Sequence, residues 1–185
     1  VPKHPVRVYQ GDGLGVFTAE IQFPSDNDVY FGETVLEWFT KGGFDRLIVI
    51  DGVVSNDLGI KEDSDLWGVS STKMSREQLD NAGIQQIQHG IVAGISGYLI
   101  AEGERRGLDV TALLAECNPM YPDARAALIA IEGLSELIDQ EIPVQGLLDD
   151  ARNIEERVRE AFERAQSMAL PPPDTDDEDD VPMVF

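Results

Sequence analysis

Apolar and polar residues alternate near the start of the chain. Val6-Arg7-Val8-Tyr9 has a period of two. So does the stretch in which Phe17, Ala19, Ile21 and Phe23 interleave with Thr18, Glu20 and Gln22. That period is the mark of a half-buried strand. Gly11-Asp12-Gly13 supplies turn residues between the two segments, so together they predict a hairpin, ended by Pro24-Ser25-Asp26-Asn27. The spacing then becomes helical: Phe31, Val35, Leu36 and Phe39 mark one face of a helix over residues 28–41, with Gly42-Gly43 as its stop. Leu47-Ile48-Val49-Ile50 is a short continuous apolar run, which predicts a strand buried on both faces, closed by Asp51-Gly52. Leu66-Trp67 and Val69 suggest a further strand. Ser75-Arg76-Glu77-Gln78 matches a capping box, predicting a short helix that begins there and ends near Gly83.

Residues 90–100 are apolar nearly all round, and most of the stretch predicts a buried helix running out at Arg105-Arg106-Gly107. Residues 110–115 then read as another buried strand. Pro122 suits the first turn of a helix, and Asp123 is well placed against its dipole; Ala127, Ile131, Leu134 and Ile138 mark the apolar face. Pro143 opens the last helix, where Leu147, Ala151, Ile154, Val158, Ala161, Ala165 and Met168 step by four and three alternately. This heptad seam can pack on its own domain or meet a partner helix. Beyond Leu170, Pro171-Pro172-Pro173 and an acidic run cannot bury a core. They predict a flexible tail over residues 170–185 behind an α/β domain over residues 1–169. Strands alternating with helices indicate a three-layer α/β/α sandwich.

Charge changes the picture of the partners. Thirty-five acids against 14 bases give a net charge of −21 in 185 residues, and removing the six acids between positions 174 and 180 still leaves −15. Such a surface repels phosphates and anionic membranes, which argues against nucleic-acid and membrane partners. Lysine is scarce beside Asp and Glu, a bias that suits a salty cytoplasm in which ions screen self-repulsion. A mesophilic protein with an acidic tail is the alternative. No window approaches the roughly 18 to 20 apolar residues of a membrane span. The start, Val1-Pro2-Lys3-His4-Pro5, lacks the apolar stretch of a signal peptide. The single Cys117 has no internal disulfide partner, and a reduced, cytoplasmic setting is expected.

Candidate chemistry is thin. Gly11-Asp12-Gly13-Leu14-Gly15 has the wrong glycine spacing for a dinucleotide loop, and the segment after it alternates like a strand. Gly94-Ile95-Ser96-Gly97 resembles a nucleophile elbow without its final glycine; the only bases on offer are His4 and His89. No pair of histidines stands at ligand spacing, and no cofactor or metal is expected. Cys117 reads as structural. Asp123 and Arg125 lie where α/β sheets often place sites, but they equally serve to cap a helix and bridge neighbouring elements.

Residues 90–100 (Gly-Ile-Val-Ala-Gly-Ile-Ser-Gly-Tyr-Leu-Ile), then Ala112-Leu113-Leu114-Ala115-Glu116, then Tyr121-Pro122-Asp123-Ala124-Arg125-Ala126-Ala127, closely resemble the archaeal proteasome-assembly-chaperone family. Leu47-Ile48-Val49-Ile50-Asp51-Gly52 and Ile154-Glu155-Glu156 fit as well, so the likeness spans residues 6–168. The resemblance implies a fold like that of nucleoside phosphorylases and hydrolases without their enzymatic residues. It also implies a homo-oligomer that binds proteasome α subunits and assists their assembly. A C-terminal tail ending in hydrophobic–tyrosine–any residue docks between α subunits in some members. That makes Met183, Val184 and Phe185 the partner-binding candidates here, with valine where tyrosine is expected. Members usually begin with a further strand, glycine-rich turn and helix, so this domain is expected to lack that N-terminal portion. The alternatives are a nucleoside phosphorylase- or hydrolase-like enzyme, suggested by fold analogy alone, and a structural oligomer serving another complex.

Overall fold

The computed structural model describes residues 4–11, 13–21, 24–54, 65–119 and 123–168. In chain order its elements are β1 (Val6–Gly11), β2 (Leu14–Ala19), α1 (Asp28–Gly42), β3 (Leu47–Val54), β4 (Leu66–Ser70), α2 (Lys73–Asn81), β5 (Gln85–Gln86), α3 (Gly94–Arg106), β6 (Val110–Cys117), α4 (Ala124–Ile138) and α5 (Gln145–Met168). β1 and β2 form the expected antiparallel hairpin, with Val8 opposite Phe17 and Tyr9 opposite Val16, but β2 starts earlier than its alternation suggests and ends at Ala19, so Ile21 lies beyond it and Gln22 and Phe23 lie outside the described residues. The other strands make one sheet in the order β3-β6-β4-β5. β6 runs parallel to β3 and antiparallel to β4, and β4 runs parallel to β5.

β6 is the centre of the sheet. Residues 110–115 are buried in an unbroken run, as their continuous apolar pattern predicts. Its side chains alternate between two cores. Val110 packs with Val35 and Leu36 of α1 and Leu99 of α3, and Leu47 and Val49 join them from β3. Leu113 faces the opposite way, with Leu79 of α2, Ile84, Ile48 of β3, and Leu134 and Leu137 of α4. Ala115 meets Ala126 and Ala130 of α4. Helices thus cover both faces of the sheet. Replacing a fully buried leucine such as Leu36, Leu99 or Leu113 with alanine leaves a cavity that costs about 2–5 kcal/mol.

Small residues set the helix distances. A Cβ on Gly32 of α1 would fall 2.4 Å from the Tyr98 ring, and one on Gly133 of α4 would fall 2.5 Å from Leu66 Cδ2. At the opposite end of the sheet from the β3 and β6 C-termini, Arg46 joins four elements. Its Nε donates to Asp109 Oδ2 at 3.2 Å, its Nη1 to the Leu137 carbonyl at 3.4 Å, and its Nη2 to Gln78. Ser75 Oγ donates to the other Asp109 oxygen at 2.5 Å.

Three further local expectations change. The helix expected over most of residues 90–100 begins at Gly94, which takes a left-handed φ of 70° and leaves residues 90–93 outside it. The Val92 carbonyl folds back over α3 so closely that a Cβ on Gly97 would lie 1.9 Å from its oxygen. Residues 90–93 are therefore an irregular arm, and Ile91 is 96% exposed instead of buried. β3 does not close at Asp51-Gly52 but runs to Val54; among the described residues it is an edge strand, with Ile50, Val53 and Val54 exposed. The capping-box serine is not the cap of α2. Thr72 is, its Oγ1 accepting from Ser75 N at 3.2 Å.

The contact at Gly97 is with backbone, which cannot rotate away as a side chain can. Gly97→Ala should cost about 1–3 kcal/mol in chemical denaturation, because the 90–93 arm must lift off α3. Gly146 near the start of α5 has open space around it, so Gly146→Ala should be neutral or stabilise by up to about 0.5 kcal/mol. Equal effects of the two substitutions would show that helix propensity, not the close approach, governs both.

Candidate functional site

β3 and β6 are parallel, so their C-terminal ends open at the same side of the sheet, the usual place for a ligand in an α/β fold. The start of α3 is tied to this side by Ser96. That side chain is 2% exposed, and its Oγ donates to Asp51 Oδ2 at 2.5 Å. The other oxygen of Asp51 accepts from Gly52 N at 2.8 Å. Behind them Cys117 Sγ lies against the Gly52 backbone, where a Cβ would fall 2.6 Å away. Asp123 is the N-cap of α4. Oδ1 accepts from Arg125 N at 3.2 Å and Ala126 N at 3.0 Å, and Oδ2 accepts from Asn118 N at 3.0 Å. Its carboxylate thus satisfies the first amides of α4, where an anion would otherwise sit.

The electrostatics of this end follow from those carboxylates. Burial, then Asp123, Asp51 and Glu116, push the Cys117 thiol above its ordinary pKa. It is held as the neutral thiol, a poor nucleophile and a poor metal ligand. Among the described residues no group of three or more His, Cys, Asp or Glu side chains is placed to hold a metal. Nor is any helix long and apolar enough to cross a membrane.

The candidates raised by the sequence scatter. Ser96 meets an aspartate, and His89 is exposed on the loop between β5 and α3. His4 is exposed before β1, its Nδ1 accepting from Val6 N at 3.1 Å. Gly11 and Gly13 flank the hairpin turn, so the glycine-rich segment opens a strand and not a helix. Asp123 caps α4, one of the two roles its position allowed. Met183, Val184 and Phe185 lie outside the described residues, as do Tyr121 and Pro122. The Asp51–Ser96 pair was not foreseen. Its one signal in the sequence is an aspartate directly after an apolar strand run.

A second feature joins α1 to α3. Tyr98 Oη donates to Glu33 Oε1 at 2.6 Å, and Arg106 reaches across to the same carboxylate. Arg106 Nε and Arg105 Nε both hold Glu102, at 2.7 Å and 2.9 Å. Tyr98, then Arg106, lower the Glu33 pKa; Arg105, then Arg106, hold Glu102 at about 2, below its ordinary 4.5. These pairs border a shallow groove of about 370 Å³ lined by Tyr30, Glu33, Thr34, Glu37, Thr40 and Arg106. Its two carboxylates are already partnered, Glu33 by Arg106 and Glu37 by Lys41. The groove therefore reads as a helix–helix clamp.

Two measurements probe these features. A carboxyl with a depressed pKa contributes stability that is complete above its ordinary pKa and is lost as pH falls through the depressed one. The melting-temperature difference between wild type and Glu102→Gln should therefore be constant above pH 4.5 and shrink towards pH 2. A difference that does not change with pH would remove the ion pairs as its cause. Cys117 should react with a disulfide reagent more slowly than a free thiol at pH 8, and Asp51→Asn should speed it. A reaction as fast as that of a free thiol would contradict the burial of Sγ.

Comparison with known proteins bears on this geometry. The sequence model of the PAC2 family matches residues 1–161. In the crystal structure of Pyrococcus furiosus PbaA, an archaeal homolog of proteasome-assembly chaperone, the fold recurs with a TM-score of 0.79. Identity is 26%, covering 90% of this chain and 69% of PbaA. A PAC2 family protein from Streptomyces avermitilis shares the fold with a TM-score of 0.61 at 18% identity, covering 89% of this chain and 79% of that one. An uncharacterized protein of Methanocaldococcus jannaschii is 21% identical over 168 residues, which is 91% of this chain and 68% of that protein. A match over residues 1–161, with the fold of PbaA over nine-tenths of the chain, places it: this protein belongs to the PAC2 family.

Proposed function

We propose that the chain is a non-catalytic chaperone of proteasome assembly that works in the cytoplasm as a homo-oligomer and binds proteasome α subunits. The likeness to PbaA, 26% identical over 90% of the chain, carries the reading. The site chemistry agrees with it. At the sheet end where an α/β enzyme would bind its ligand, Asp51 and Ser96 hold one another, Asp123 is taken up by the Asn118, Arg125 and Ala126 amides, and Cys117 lies against Gly52.

On this reading the sandwich, related in architecture to nucleoside phosphorylases and hydrolases, is a platform, and residues 170–185 are a tether. Met183, Val184 and Phe185 are its apolar anchors. Several tails on one oligomer raise the local concentration of anchors, so weak contacts add up to stable capture. The acidic body suits salt-rich surroundings.

The test is recovery of the proteasome α subunit of the same organism by the full chain at cytoplasmic salt. Specific recovery is expected. Deleting residues 183–185 should weaken binding by at least roughly tenfold, since burying a Phe and a Met is worth more than about 1.4 kcal/mol. No recovery by folded bait would overturn the chaperone reading. Undiminished affinity after the deletion would overturn the tail as anchor and leave the body as the binding surface.

A further inference from the structure

The β1–β2 hairpin is tied to itself far better than to the rest of the molecule. It is a two-stranded sheet of its own, and none of its residues belongs to the three buried clusters. Among the described residues its hydrogen bonds and its ion pair stay within positions 4–20. Beside the ladder, Glu20 N donates to the Pro5 carbonyl at 2.9 Å, Arg7 Nη1 donates to the His4 carbonyl at 2.9 Å, and Arg7 pairs with Glu20. What attaches the hairpin to α1 is aromatic. The Phe17 ring stands edge-on to Phe31 at 5.5 Å and lies 6.1 Å from Trp38, which itself lies 4.8 Å from Phe44. Gly15 lets β2 settle on that group, since a Cβ there would fall 2.7 Å from Phe44 Cζ and 3.2 Å from Trp38 Cη2. β1 adds little, for Val8, directly opposite Phe17, is 50% exposed. The seat is therefore one strand wide and made of side chains alone.

Such an attachment divides the fold energetically. Segments joined by few buried apolar contacts open separately from the segments they rest on. Opening β6 means breaking two ladders and dismantling three cores. Lifting the hairpin breaks none of the hydrogen bonds that hold the sandwich, and α1 stays in place because Val35 and Leu36 remain buried against the sheet. Once lifted, a two-stranded ribbon is marginal and its ladder frays. The surface left behind is the side of α1 that carries Phe31 and Trp38, with Phe44 just beyond its Gly43 stop.

We propose that the hairpin is a cover that opens as a unit while the sandwich stays folded, and that the opened form presents Phe31, Trp38 and Phe44. The closed form dominates, and an apolar ligand that binds the opened one would draw the population towards it. The proposal stands apart from the chaperone reading, which can fail without touching it.

The experiment is amide hydrogen exchange of the full chain under conditions where the rate reports the opening equilibrium. Protection of β1 and β2 should be at least about 100-fold below that of β6, and it should depend little on added denaturant because opening exposes little surface. Two variants separate the units. Ile84→Val, in the core with Leu79 and Leu113, should lower β6 protection about fivefold and leave the hairpin unchanged, since it weakens closed and opened forms alike. Phe17→Ala should lower hairpin protection at least about tenfold. In a Trp67→Phe background, where Trp38 is the remaining tryptophan, Phe17→Ala should also raise its quenching by acrylamide. Equal protection of hairpin and β6, or a joint fall of both in Ile84→Val, would overturn the proposal by making them one cooperative unit. Trp38 quenched equally with and without Phe17→Ala would overturn it too, because the hairpin would then not be covering that ring.

Discussion

Everything in this fold is arranged around one strand that needs cover on all sides. β6 gives its backbone to β3 on one edge and β4 on the other, and its six buried residues need apolar neighbours above and below. α1 and α3 cover Val110; α2 and α4 cover Leu113 and Ala115. Because the helices must approach closely to do so, glycine and alanine stand at the contacts: Gly32 under Tyr98, Gly133 over Leu66, and Ala126 and Ala130 over Ala115. The polar ties serve the same arrangement. Arg46 and Asp109 fasten the end of the sheet where β6 begins, and Asp123 and Ser96 fasten the end where it stops.

Those ties also bear on catalysis. The C-terminal ends of β3 and β6 are where this architecture usually leaves room for a ligand. Here the donors and acceptors point at one another. Ser96 spends its proton on Asp51, Asp123 spends both oxygens on backbone amides, and Cys117 is kept neutral by burial and by its acidic neighbours. A substrate entering this space would have to break contacts that hold α3 and α4 to the sheet. Interaction through the outer surface makes no such demand, which is why the geometry sits comfortably with a binding protein.

The parts that were legible in the sequence are those whose cause is local. The alternation in β1, the unbroken apolar run of β6, and the Gly43 stop of α1 (φ 69°) each write their conformation into a few adjacent residues. What could not be read depends on partners distant in sequence. Residues 90–93 have the composition of a buried helix, yet α3 starts at Gly94 because the arm folds back on Gly97. Ile50, Val53 and Val54 look like core residues but lie on an edge strand, and no local pattern separates an edge from a centre. The Asp51–Ser96 pair spans 45 positions, and Glu33–Arg106 spans 73, so neither has a spacing that a motif could capture.

The acidic composition takes on a different meaning once it is placed in space. In the sequence it is a net −21 with a dense run near the end. In the fold, some of the carboxylates that touch basic groups form compact clamps between elements, Glu33 and Glu102 around Arg105 and Arg106 and Asp109 against Arg46, while others, such as Glu37 with Lys41 and Glu77 with Lys73, pair along one exposed helix face. A molecule so charged repels acidic and phosphate-bearing partners over most of its surface, so a contact with any partner gains most where the carboxylates are already paired or absent. Added salt relaxes that repulsion and leaves apolar contacts in place, so the same composition that excludes partners at low ionic strength restrains them least in salt-rich surroundings.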